Sequence, residues 1–228
     1  MHPSITGTAR LAGGLYLAMM PFAALGVLYV PSVLVVPGDP AATARNILAS
    51  ETLFRSGTVS HLIGQTIFIF LVLALYRLLS PVNKDHARLM AVLALLGVPI
   101  AFLNEVNHLA ALQLLRGPDY LGAFTTDQLQ AQAMLFLDHR RLGLLIAQVF
   151  WGLWLMPLGY LVFTSGMLPR VLGVLLIVAG CGYLVDCGTH LLIPGIDTTV
   201  TQFTFVGEVL FPLWLLIKGV NVERGGPA

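Results

Sequence analysis

Six apolar stretches, at roughly 9–33, 55–80, 88–115, 140–165, 170–193 and 200–220, dictate what this chain can become. A bilayer-spanning α-helix needs about 20 mostly apolar residues, and each stretch supplies roughly that. In hydrocarbon the backbone N–H and C=O groups have no water to bond, so a helix must satisfy them within its own segment. Only 10% of the 228 residues are charged, against about 25% in soluble domains. Such a chain has too little polar surface to cover a globule in water. The expectation is therefore an all-α fold: one domain over residues 1–228, a polytopic membrane bundle of six transmembrane helices. The net charge of +1 points to no nucleic-acid partner; the lipid bilayer is the partner that composition implies. The first apolar run continues to about Val36, longer than the roughly 7–15 residues of a signal-peptide core, and reads as a retained span. Cys181 and Cys187 share one apolar stretch and imply no disulfide framework.

The connections differ in character. SPVNKDH and SGMLPR are short, whereas VPGDPAATARNILASETLF and RGPDYLGAFTTDQLQAQAMLFLD are long. Each long one contains a further helix signal. Asp39 followed by Pro40 is a capping acceptor with proline at the first helical position. Thr125 followed by Gln128 fits a capping box. Both segments read as short amphipathic surface helices on the outer side. Lys and Arg set the orientation. Arg10, Arg77, Lys84, Arg88, Arg170, Lys218 and Arg224 fall on one side of a six-span chain, and Arg45, Arg55, Arg116, Arg140 and Arg141 on the other. Most loop acids, Asp197 among them, join the second set. That distribution places both termini in the cytoplasm.

Three acids lie inside stretches that otherwise read as membrane: Glu105, Asp186 and Glu208. A carboxylate at such depth costs a few kcal/mol or more, so these residues are rare and usually have a task. At about 1.5 Å rise per residue, all three fall in the outer half of the bundle, as do His61, His108, His139 and His190. Asn104, Glu105 and His108 share a helix face, with Glu105 and His108 at i, i+3 and Asn104 and His108 at i, i+4. Asp186 and His190 repeat the i, i+4 spacing, as do His61 and Gln65. His139 reads as a headgroup-level residue beside Arg140 and Arg141. Pro21, Pro99, Pro157 and Pro212 interrupt spans, and Pro212 removes the helical donor for the carbonyl of residue 208.

The candidate ligand-binding set is thus His61, Asn104, Glu105, His108, Asp186, His190 and Glu208, lining one cavity. Three functional readings are open. A small ligand, lipid or cation binds there, in a carrier, sensor or accessory role. Alternatively, zinc or iron held by His108, His190, Glu105 and Asp186 serves an intramembrane enzyme acting on a lipid-like substrate. A third reading is haem ligation by histidines on facing helices. A structural reading stands beside these, because buried polar groups also hold helices together by hydrogen bonds.

Several stretches resemble the DUF4386 family of bacterial membrane proteins: ARLAGGLYLAMMPF, VVPGDPAATARNILASETLFRSG, LYRLLSPVNKDHARLMAVLALLGVPI and FWGLWLMPLGYLVFTSGMLPRVLGVLLIVAGCGYLVD. The LGYLVxxSGxLPRxLGxLL run is the most specific part. Asp186 closes a Tyr-Leu-Val-Asp segment that matches the family's pattern, and Asn104 falls where the family usually carries asparagine. The resemblance implies a six-helix protein of a bacterial cytoplasmic (inner) membrane and no assigned activity.

Overall fold

A computed structural model describes residues 4–193, 195 and 199–221. Asp197 and Arg224, counted above as loop charges, lie outside the described residues. Within them the chain is all helical, with no strand. The helices are α1 (Ile5–Leu34), α2 (Pro40–Ala49), α3 (Glu51–Leu79), α4 (Lys84–Arg116), α5 (Thr126–Thr164), α6 (Arg170–Leu192) and α7 (Thr201–Ile217). Five of these, α1 and α3 to α6, are long and apolar enough to cross a membrane. α7 is apolar but shorter, and a turn at Phe205 divides it.

The start signals act as chemistry requires. Asp39 Oδ1 accepts from the Ala42 N–H at 2.8 Å, and Pro40 opens α2. Thr125 and Gln128 exchange bonds reciprocally, N–H to Oε1 at 2.9 Å and N–H to Oγ1 at 3.3 Å. The helix that this box starts differs from expectation. No separate surface helix precedes a span at 140; α5 runs unbroken for 39 residues. No glycine or proline occurs between Thr126 and Leu142 to stop it. Its length is about 58 Å, nearly twice the hydrocarbon thickness of about 30 Å.

The chain divides into two compact units. The first holds the described residues of Met1–Ala18, Ile67–Val98 and Leu145–Ala228. Its core places Trp154 between Tyr16 (ring centroids 6.3 Å apart) and Phe68 (5.2 Å). Small residues let α5 and α6 approach closely. A Cβ on Gly159 would lie 2.6 Å from the Gly173 carbonyl oxygen, and one on Gly152 2.8 Å from that of Gly180.

Asp186 has a structural task in this unit. Its Oδ1 accepts from the Val200 N–H at 2.7 Å and its Oδ2 from the Thr201 N–H at 2.9 Å. A side chain on α6 thus satisfies donors at the start of α7 that no helical carbonyl reaches. Asp186→Ala is expected to cost about 0.5–2 kcal/mol and to speed hydrogen exchange at the amides of Val200 and Thr201. Asp186→Asn, with one acceptor oxygen in place of two, should fall between. Unchanged exchange in both variants would refute the capping role.

The second unit comprises Met19–Thr66 and Pro99–Leu144. Its apolar core is Val30, Leu34, Ile47, Phe54 and Leu112. At one edge Glu51 pairs with Arg55 at 2.7 Å and with Arg116 at 3.3 Å, joining the start of α3 to the end of α4. These partners are partly exposed, and pairs of that kind contribute little.

Candidate functional site

The site in the second unit begins with a proline that has no N–H to give. Pro31 follows a π-helical stretch, Ala24–Tyr29, within α1. The Val30 N–H turns to the Leu25 carbonyl, five residues back, instead of Gly26, four back. The next donor in a π pattern would be residue 31, a proline. The Gly26 carbonyl is therefore left without either helical donor. Arg140 fills the vacancy: its Nη2 donates to Gly26 O at 3.1 Å. Freed backbone groups in membrane helices are commonly re-satisfied in this way by a neighbouring helix. The close approach also depends on glycine. A Cβ on Gly26 would lie 2.6 Å from the Gly57 carbonyl oxygen and 2.9 Å from His61 Cβ.

Arg140 is only 4% exposed and Glu105 only 2%. The guanidinium donates to Glu105 Oε1 from Nε at 3.1 Å and from Nη2 at 2.9 Å. His61 Nδ1 reaches the same oxygen at 2.7 Å. A carboxylate only accepts, so His61 presents an Nδ1–H to it; in the neutral ring Nε2 is then the acceptor. The Gln65 amide Nε2 lies 3.3 Å from that nitrogen and can donate to it. Sequence spacing alone suggested the His61–Gln65 pair; its link to Glu105 crosses from α3 to α4.

His108 flanks the other carboxylate oxygen. Its Nδ1 lies 2.7 Å from Thr58 Oγ1, in hydrogen-bonding contact, and 3.5 Å from Glu105 Oε2. Its ring packs on Phe54 with centroids 3.8 Å apart. Asn104 Nδ2 donates to the Arg140 carbonyl at 2.7 Å, tying α4 to α5. Glu105 Oε2 is buried without a hydrogen-bond partner. One cation, one anion and two imidazoles thus sit on three helices and are tied to a fourth element, the π-stretch of α1.

Beside this network lies a cavity of about 210 Å³. Arg140 and His108 form part of its wall; Arg141 and Asp138, both exposed, line it too. The remaining wall is apolar, with Val27, Leu34, Phe54 and Leu144 among its residues.

The structure brings His61, Asn104, Glu105 and His108 together in this unit. Asp186, His190 and Glu208 belong to the other unit. There Asp186 holds the start of α7, His190 sits in the last turn of α6, and Glu208 Oε2 accepts from the Tyr16 hydroxyl at 2.7 Å. The three acids have separate sets of partners. Among the described residues, no group of three or more His, Cys, Asp or Glu is placed to hold a metal ion. Arg140 itself escaped sequence reasoning, which put it at the headgroup level with His139 and Arg141. A signal was available: Ala133, Leu137, Arg140, Leu144 and Ala147 follow helical 3–4 spacing, and Ala133, Leu144 and Ala147 are buried. Arg141, one residue on, is exposed.

Residues 11–219 match the family model described as "Domain of unknown function (DUF4386)". An uncharacterized protein of the archaeon Archaeoglobus fulgidus is 31% identical over 174 residues, covering 73% of this chain and 88% of that relative. No solved structure matches the chain.

Proposed function

The chain belongs to the DUF4386 family, and from that premise we propose that it is a ligand-binding protein of a prokaryotic cytoplasmic membrane. It crosses six times, by the five long helices and by α7, with both termini in the cytoplasm. The burial of Arg140 supports that orientation. An arginine held inside a helix bundle is no loop charge, so the basic residues divide seven against four instead of seven against five. An archaeal relative widens the expected hosts beyond bacteria.

The ligand site is the cavity beside the Arg140–Glu105 network, and its occupant is a small amphiphile or lipid group with an anionic head. The observation that carries this reading is the composition of one wall. Arg140 and Arg141 line a cavity otherwise walled largely by apolar side chains. A guanidinium is the natural partner of a carboxylate or phosphate. Asp138 on the rim and Glu105 behind it temper the positive charge, so the site favours a monoanion over a multiply charged species. The size is limiting as well. Pockets for drug-sized ligands measure roughly 300–1,000 Å³; about 210 Å³ accommodates a head group or a short chain, with the rest of a lipid outside.

The test is thermal stability of the purified full chain with single-chain amphiphiles that differ only in the head: carboxylate, phosphate monoester or trimethylammonium. The anionic heads should raise the melting temperature and the cationic head should not. Leu144→Trp, which fills the cavity, should abolish the shift, and Arg141→Gln should reduce it. Equal shifts for all heads, or full response in Leu144→Trp, would contradict the assignment.

A further inference from the structure

The first unit contains a carboxyl that the ligand cavity leaves unused. We infer that Glu208 is a proton-exchange site, a membrane-embedded acid that binds and releases a proton independently of the cavity in the second unit. Three observations converge on it. Its Oε2 accepts from the Tyr16 hydroxyl at 2.7 Å, across 192 residues of sequence. Its Oε1 is buried with no hydrogen-bond partner. Among the described residues, it has no Lys, Arg or His within ion-pair distance.

The contrast with Glu105 decides the reading. Both acids lie in apolar helices of one chain. Glu105 has Arg140 as a counter-ion and holds a fixed negative charge among N–H donors. Glu208 has hydroxyls. Tyr16 comes from α1, and Tyr183 from α6 lies beside the same carboxyl. A phenol O–H can donate to a carboxylate or to the carbonyl oxygen of a carboxylic acid, so it serves both protonation states. The vacant Oε1 is where the proton sits. Asp186, three residues from Tyr183, is the nearby acid on α6, and both its oxygens are occupied by the Val200 and Thr201 amides. It does not compete for the phenols.

Local backbone chemistry keeps the site open. Glu208 stands in the first turn of the Val206–Ile217 segment, the end of a helix dipole that favours a carboxylate. Pro212, four residues on, supplies no N–H to the Glu208 carbonyl. The carbonyl of the same residue is thus without its usual helical donor, as Oε1 is without a partner. Acids inside membrane spans commonly mark ion pathways and proton relays.

The experiment is pH-difference infrared spectroscopy of the purified full chain in lipid nanodiscs, read in the C=O stretch of protonated carboxyls. The expected result is a band that fades as pH rises and is missing from Glu208→Gln. Glutamine preserves the side-chain shape and accepts from Tyr16, so this variant should melt like the parent. Tyr16→Phe removes the hydrogen bond to the carbonyl oxygen and should move the band to higher frequency. A band set unchanged in Glu208→Gln would overturn the inference. So would a Glu208 band that persists unaltered at alkaline pH, because the acid would then be fixed and purely structural.

Discussion

Arg140→Met is expected to lower the unfolding free energy of the protein in detergent by about 3–5 kcal/mol. The magnitude follows from what the substitution leaves behind. Glu105, 2% exposed, would be left without a cationic partner, with only His61 and His108 nearby. The Gly26 carbonyl would lose the donor that stands in for the missing proline N–H. One buried carbonyl would be orphaned, and a buried carboxyl would lose its counter-ion while keeping only the His61 N–H. Arg140→Lys should recover only part of the loss. An ammonium keeps the charge but cannot present the Nε and Nη2 donors side by side to Glu105 Oε1 while also reaching Gly26. Chemical denaturation monitored by tryptophan fluorescence measures both variants, and Lys matching Arg would argue against the geometry described.

Gly26→Ala should be the next largest effect, at about 1–3 kcal/mol. The added methyl would meet the Gly57 carbonyl oxygen at 2.6 Å and the His61 backbone nitrogen at 3.0 Å. These are backbone atoms of a packed helix and cannot swing aside as a side-chain end can. α1 must therefore move away from α3, and Arg140 Nη2 loses its reach to Gly26 O. Gly14, where a Cβ would meet nothing within 4 Å, is the internal control. Gly14→Ala should be neutral or slightly stabilising, because alanine is the better helix former. Equal melting behaviour of the two alanine variants would refute close packing at Gly26.

Much of this architecture is legible in the residues, and the illegible parts share a cause. Apolar length finds the long helices, because the backbone must satisfy itself in hydrocarbon. Asp39–Pro40 and Thr125–Gln128 disclose helix starts, because capping is local chemistry. The i, i+3 and i, i+4 spacings of Asn104, Glu105 and His108 disclose one face of the polar network. What spacing cannot disclose is a partner on another helix. Glu105 meets Arg140 across 35 positions, Arg140 meets Gly26 across 114, and Tyr16 meets Glu208 across 192. Asp186 is subtler still: its partners are backbone amides, which no side-chain pattern encodes.

Two local signals were nevertheless present and would have brought Arg140 forward. Pro31 predicts an orphaned carbonyl about one turn upstream, which demands a donor from elsewhere. The Ala133–Leu137–Leu144–Ala147 spacing turns Arg140, not Arg141, toward the interior. An arginine on an apolar helix face and an acid on another are a pair waiting to be matched. The adjacency of Arg140 to His139 and Arg141 hides this, because three polar residues in a row look like the end of a span. In a 39-residue helix they are one turn in its middle, and each faces a different way.

The claim on which the account turns is that Arg140 and Glu105 act as one buried unit. A double-mutant cycle measures it directly, with Arg140→Met, Glu105→Leu and the combined variant unfolded under the same conditions. The account predicts strong coupling, at the upper end of the about 0.5–3 kcal/mol seen for contacting residues, with the double variant more stable than the sum of the singles requires. Additivity within about 0.5 kcal/mol would contradict it, leaving Arg140 and Glu105 as neighbours that do not depend on each other.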